Sequence, residues 1–144
     1  MEDCNAVFTS KLADFDLAEA RPPYRFRVAG FLDLEAGIAV RLVPVDHEEE
    51  RRMRRLRDRL AGRLGVRRPE HEGYEFHLGL GYLLRWLGEG EERELVGVLE
   101  GFLEEEGMAG GEFVVELGGP EFCRFGSMEV FERGFYLGEG VCGG

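Results

Sequence analysis

The stretch Tyr74–Trp86 reads YEFHLGLGYLLRW. Its apolar residues recur at every second position, the period of an extended strand whose side chains point alternately to opposite faces. Tyr74, Phe76, Leu78, Leu80 and Tyr82 fall on one face, bulky and apolar as a core requires. Glu75, His77, Gly79 and Gly81 fall on the other. A glycine in mid-strand weakens packing and often marks a close approach by a ligand or another backbone. A histidine beside a glycine floor makes this the central strand of the expected sheet and its foremost candidate for chemistry.

Upstream, residues 24–34 and 38–45 read as two strands joined by the turn-like Glu35-Ala36-Gly37, a hairpin. Tyr24, Phe26 and Val28 share one face and Arg25 and Arg27 the other. Arginines on a strand face can meet a phosphate bidentately, although solvated edge charges are commoner. Asp46 with Glu49 three residues on suggests a capping box. Met53, Leu56, Leu60 and Leu64 follow at helical spacing, an apolar stripe laid on a sheet, and Gly65 is a natural stop. Nine arginines crowd residues 51–68 of this segment. They read as a solvated helix face, with a nucleic-acid patch as the alternative.

Toward the N-terminus, residues 5–20 suggest a helix ended by Arg21-Pro22-Pro23. Downstream, Leu83–Leu87 is expected to cap the sheet with Trp86. Glu91–Glu106 reads as an amphipathic helix with Leu95, Leu99, Phe102 and Leu103 inward, closed by Gly107. Residues 112–117, 122–125 and 128–137 read as strands, and residues 138–144 as a glycine-rich tail. The order predicts an α+β domain: a mostly antiparallel sheet backed by two amphipathic helices.

Composition bounds the function. At 144 residues the chain fits one domain, and 44% hydrophobic with 33% charged residues suits a soluble globular protein. No apolar run approaches the ~20 residues of a membrane span, and Glu2 and Asp3 are unlike the basic start of a signal peptide. Three widely spaced cysteines, Cys4, Cys123 and Cys142, suggest reduced thiols and a cytoplasmic protein. Cys123 reads as a small core residue. A net charge of −11 disfavours bulk DNA binding, so any phosphate recognition must be local. His71 and His77 with Glu72 and Glu75 lack the spacing of a metal site, no glycine-rich phosphate loop follows a strand, and there is no G-x-S-x-G elbow.

Residues 74–87 (YEFHLGLGYLLRWL), followed by residues 120–137 (PEFCRFGSMEVFERGFYL), resemble an uncharacterised fungal and bacterial branch of the two-histidine phosphoesterase superfamily, which includes RNA-ligase-like and cyclic-phosphodiesterase enzymes. The segment VPVDHEEERRMRRLRDRLAGRLGVRRPEHEGY, residues 43–74, is similar to the helix preceding the second histidine motif of that branch. The resemblance covers residues 5–137 but matches only the C-terminal half of such a domain. It implies an N-terminal helix over 1–22, one lobe of a bilobal fold over 23–137, and a tail over 138–144.

In that superfamily each lobe offers a His-x-Thr/Ser-x strand motif, one histidine acting as general base and the other as general acid on a 2′,3′-cyclic phosphate. Histidine, with an unperturbed pKa near ~6.5, suits either task. The resemblance implies His77 as the catalytic residue and no cofactor. The phosphate contacts on this reading are Gly79, Arg25, Arg27 and Arg41, and the ligand is a nucleotide or an RNA end. This chain departs twice from the motif. Gly79 stands where the hydroxyl residue belongs, and neither His47 nor His71 has a hydroxyl two residues on. One histidine and no paired hydroxyl imply a degenerate, inactive half-domain, with a non-catalytic nucleotide-, RNA- or protein-binding module as the alternative. A homodimer giving one His77 per copy is the third expectation.

Overall fold

Alternating large apolar and charged residues set the strands, and amphipathic stripes set the helices. In the computed structural model, which describes residues 4–35, 37–127 and 130–139, the order is α1 (Cys4–Leu12), β1 (Tyr24–Phe31), β2 (Gly37–Pro44), α2 (His47–Leu64), β3 (His77–Tyr82), α3 (Glu89–Glu105), β4 (Val114–Leu117), β5 (Glu121–Ser127) and β6 (Val130–Tyr136). The fold is α+β, as the sequence pattern predicts. Ala36, Met128 and the tail beyond Glu139 lie outside the described residues.

The chain forms two compact units. One comprises residues 25–50 and 72–116 and holds the main sheet, in the order β3-β2-β1-β4. The hairpin β1–β2 is antiparallel, with Phe26 opposite Pro44, Arg27 opposite Val43 and Val28 opposite Leu42. Phe26, Val28 and Leu42 are buried, and the Phe26 ring lies 5.4 Å from that of Phe76. β2 and β3 are also antiparallel, pairing Ala39 with Gly79, Val40 with Leu78 and Arg41 with His77. A register shift beyond Ala39 brings Gly37 against β3, where a Cβ would stand 2.5 Å from the Gly81 carbonyl oxygen. Only glycine fits there. β3 is therefore an edge strand, not the centre of the sheet, because no further strand among the described residues pairs with it.

α3 begins at a bidentate ion pair. Arg85 donates to both Glu91 carboxylate oxygens at 2.7 and 2.9 Å, and Glu91 accepts the Gly88 N–H at 3.0 Å. These contacts, Arg85 first, lower the Glu91 pKa from the usual 4.5 to about 2. Of the residues expected to face inward, Leu103 is buried and Leu95 and Leu99 are half-buried, but Phe102 is exposed.

The other unit comprises residues 1–24, 51–71 and 117–144. The expected N-cap of α2 falls in the first unit, where Asp46 accepts the Glu49 N–H at 2.8 Å and Glu49 accepts the Arg25 N–H. Gly65, with φ of 70°, ends the helix and bonds back to the Ala61 carbonyl. Met53 and Leu56 are buried. α1 stops at Leu12, well short of residue 20, yet Phe15, Leu17 and Ala20 in the irregular stretch beyond it are buried.

Arginine explains how a loop can be buried. An irregular stretch leaves its carbonyls without ladder partners, and donors can take that place. α2 supplies them along one face. Arg52 donates to the Arg21 and Pro23 carbonyls, Arg59 to those of Leu17 and Asp16, and Arg63 to that of Lys11. Arg55 pairs with Glu19 at 2.9 Å and Arg63 with Asp14 at 3.1 Å. The Arg59 guanidinium also lies 4.8 Å from the Phe15 ring centroid. The expected solvated face is thus a clamp on residues 11–23, which argues equally against a free nucleic-acid patch at these positions. β5 and β6 form a separate antiparallel ribbon, with Phe122 facing Phe135 and Phe125 facing Phe131.

Two outcomes follow. Replacing Arg59 by Lys removes the two-pronged donor and should destabilise the protein by about 1 kcal/mol in denaturant unfolding, since an ammonium cannot reproduce the fork. Glu91 is held depressed, so its ion pair supports the start of α3 above about pH 4.5, and that support fades as the pH falls toward about 2. Arg85→Ala should move the Glu91 titration midpoint, followed by NMR of its side chain, up toward 4.5.

Candidate functional site

The register of β1, β2 and β3 gathers the predicted residues on one face. Direct cross-strand partners share a face, as do alternate residues along a strand. Arg25 and Arg27 on β1, Arg41 and Val43 on β2, and His77 and Gly79 on β3 therefore point to the same side of the sheet. Phe26, Val28 and Leu42 point to the other, which is the buried side. Arg25, Val43, His77 and Gly79 are exposed and Arg27 and Arg41 half-buried. The sequence singles out Arg25, Arg27, Arg41, His77 and Gly79 on three separate strands, and the register puts them on one face.

His77 and Arg41 are direct partners. The imidazole Nδ1 lies 2.9 Å from the Glu75 carbonyl oxygen. A carbonyl only accepts, so Nδ1 carries a hydrogen in this contact, and Nε2 lies outside it. The Tyr74 ring, 5.7 Å away and tilted by 41°, borders the imidazole. Arg41 donates to the Glu75 carboxylate at 2.8 Å, and Arg25 pairs with Glu116 at 3.3 Å, both side chains more than half exposed. Such exposed pairs are worth about 0–1 kcal/mol, so a phosphate could displace either carboxylate. Glu75 has a role the sequence did not assign: its side chain holds Arg41 while its backbone carbonyl orients His77. The alternation that puts Glu75 beside His77 was the signal, although Glu75 itself precedes β3.

Gly79 keeps the floor of this face bare. A Cβ built there meets nothing within 4 Å, and its φ is not in the left-handed region. No steric demand requires glycine at this position.

The apolar residues of β3 correct an expectation, and a bulge at Leu80 breaks their alternation. Leu78, Leu80 and Tyr82 are 46%, 58% and 60% exposed, not buried in a core, and only Tyr74 and Phe76 are half-buried. Trp86 does not cap the sheet: it is 84% exposed, and Leu84 fully so. An edge strand has a neighbour on one side only, and among the described residues nothing covers the rest.

In the other unit His71, 8% exposed, sits 2.7 Å from Asp58, which Arg67 also approaches at 3.5 Å. The His71 hydrogen bond, with Arg67 added, holds the Asp58 carboxyl below its ordinary range. Asp58 lines a cleft of about 360 Å³ with Ala18, Arg52, Arg55 and Arg59. Those guanidiniums already serve the loop carbonyls and Glu19, which leaves the cleft structural. His47, at the start of α2, is exposed. Cys4 is exposed and Cys123 only half-buried, so the latter is not a core residue. Among the described residues no three His, Cys, Asp or Glu side chains converge to hold a metal ion, and no helix is long and apolar enough to cross a membrane.

The fold has a counterpart among solved structures. The crystal structure of ATU0111, a conserved protein of unknown function from Agrobacterium tumefaciens str. C58, superposes with a TM-score of 0.72 at 25% identity over 92% of this chain. The chain shares that fold. It spans about half of the neighbour's length, 53%. No protein-family model and no curated protein matches the chain.

With open space at Gly79 and an extended backbone, Gly79→Thr should be tolerated and stabilise β3 by about 0.5–1 kcal/mol through strand preference and a stiffer unfolded chain. A rise in thermal midpoint checks this; a fall would show that the bare position serves the fold.

Proposed function

We propose that the chain is a single lobe of the two-histidine phosphoesterase type, degenerate in its motif and inactive alone, whose His77 face retains the ability to bind a phosphate-bearing ligand. The observation that carries this reading is the pairing of Arg41 with His77 across β2 and β3, beside the bare Gly79. A guanidinium, an imidazole and a glycine floor on one exposed sheet face make a phosphate-sized site with room for backbone-close approach. Arg27 lies farther along the same face and Arg25 beyond it. The chain's span of about half the ATU0111 fold supports the one-lobe reading.

The chemistry supports binding over turnover. Opening a cyclic phosphodiester needs one group to take a proton from water and another to deliver one to the leaving oxygen. His77 can do the first. No second histidine stands on this face, and Gly79 supplies no hydroxyl to hold the phosphate, a loss worth on the order of 10²-fold in rate. The ligand class is a nucleotide or an RNA end with a terminal or cyclic phosphate.

Hydrolysis of a 2′,3′-cyclic nucleotide, followed by chromatography, should be absent in both the unmodified protein and His77→Ala. Turnover lost in the variant would overturn the inactive assignment. The same nucleotide should shift the NMR signals of Arg41 and His77, and Arg41→Ala should weaken binding by about 10- to 100-fold, the worth of one charge-assisted hydrogen bond. Glu75→Gln, which releases Arg41, should tighten it. A spectrum unmoved by millimolar nucleotide would end the binding reading.

A further inference from the structure

We infer that the His77 face holds three successive phosphates of a single nucleic-acid strand: the end phosphate at Arg41 and His77, the next at Arg27 and the third at Arg25. The inference rests on the phosphate-binding reading and extends it from one phosphate to a row of three.

The register lays the charges out in that row. Arg41 faces His77 across β2 and β3. Val43, two residues along β2 from Arg41, faces Arg27 on β1. One step further, the Val45 N–H donates to the Arg25 carbonyl. Along the face the guanidiniums therefore stand once on β2 and then twice on β1. Alternate residues of a strand lie about 7 Å apart, and diagonal neighbours on adjacent strands about 7–8 Å. The three arginines thus recur at one nearly constant interval. That interval matches a ligand whose phosphates are separated by a sugar, as in an extended single strand. The phosphates of a triphosphate share bridging oxygens and stand far closer together than these positions.

The surface between the charges is apolar. Val43 is 44% exposed beside Arg27, and the Tyr74 ring borders the imidazole at the end of the row. A basic track with apolar and aromatic surface for sugars and bases is how proteins hold single strands.

Each arginine is held by a contact that a phosphate can replace. Glu75 on Arg41 and Glu116 on Arg25 are exposed carboxylates. Arg27 donates to the Val45 carbonyl at 3.5 Å, the long limit of a hydrogen bond. Binding then exchanges two exposed carboxylates for phosphates on the same guanidiniums, a charge-assisted contact in either state. In a chain of net charge −11 this contact is local and strongly salt-dependent.

Calorimetric titration with a nucleoside 3′-phosphate and with a trinucleotide 3′-phosphate of the same base, over a range of salt, tests the row. The trinucleotide should bind about 10- to 100-fold tighter at low salt. A single strand loses about 0.7 in the slope of log K against log salt per phosphate contact, so the slope should be about −0.7 for the mononucleotide and about −2 for the trinucleotide. Arg25→Ala and Arg27→Ala should each take about 0.7 off the trinucleotide slope and weaken the trinucleotide more than the mononucleotide. Arg25→Lys should restore the slope, because a point charge suffices for one phosphate. A mononucleotide that fails to bind would end the phosphate-binding reading and the row with it. A mononucleotide that binds, with a trinucleotide no tighter or of equal slope, would overturn the row alone. Equal losses for both ligands in the alanine variants, or inorganic triphosphate binding as tightly as the trinucleotide, would overturn it as well.

Discussion

The antiparallel register between β2 and β3 is the constraint on which the candidate site depends. Because side chains alternate with a period of two, placing Arg41 opposite His77 fixes everything else on that face. A slip of one residue would carry the imidazole to the apolar side and bring Leu78 to the arginines. What holds the register is ordinary packing on the reverse: Phe26, Val28 and Leu42 must stay buried, and the close approach of Gly37 to the Gly81 carbonyl admits no side chain. The chemistry-bearing face is therefore positioned by residues that never touch it.

The second unit is organised by the opposite economy. A loop of modest apolar content is buried at Phe15, Leu17 and Ala20, and its exposed carbonyls are answered by guanidinium groups one or two turns apart along α2. Ala18 within that loop adopts a left-handed backbone, φ 51°, and its N–H bonds the Asp16 carboxylate. For a residue with a Cβ this conformation costs about 1 kcal/mol, and it persists because the arginines on either side of the turn leave the backbone few alternatives.

Much of this was legible in the sequence, and the failures share a cause. The strands β1, β2 and β3, the cap at Asp46, the stop at Gly65 and the shared face of Arg25 and Arg27 follow from local periodicity and turn chemistry, which the sequence carries directly, whereas the register that adds Arg41 and His77 to that face does not. Burial is not local. Leu78, Leu80, Tyr82 and Trp86 have the pattern of core residues, yet strand order leaves β3 at an edge. Phe102 fails in the same way on α3. The N-terminal helix was drawn too long because Phe15 and Leu17 continue an apolar spacing, although they are buried from an irregular stretch that arginines satisfy. Glu75 was assigned no role, since half of that role belongs to its backbone carbonyl, on which side-chain identity has no bearing.

The composition of α2 has a further consequence for chemistry done on the protein. The clamp is built from guanidinium groups, which keep their charge under all aqueous conditions and do not react with acylating reagents. The whole sequence contains one lysine, Lys11, whose ammonium lies 3.4 Å from the Leu64 carbonyl at the end of the same helix. Among its side chains, the protein therefore offers a single amine to acetylation or to an amine-directed label. A probe attached at Lys11 would report from the contact between α1 and the last turn of α2, where the two meet within one unit, while leaving every arginine of the clamp untouched.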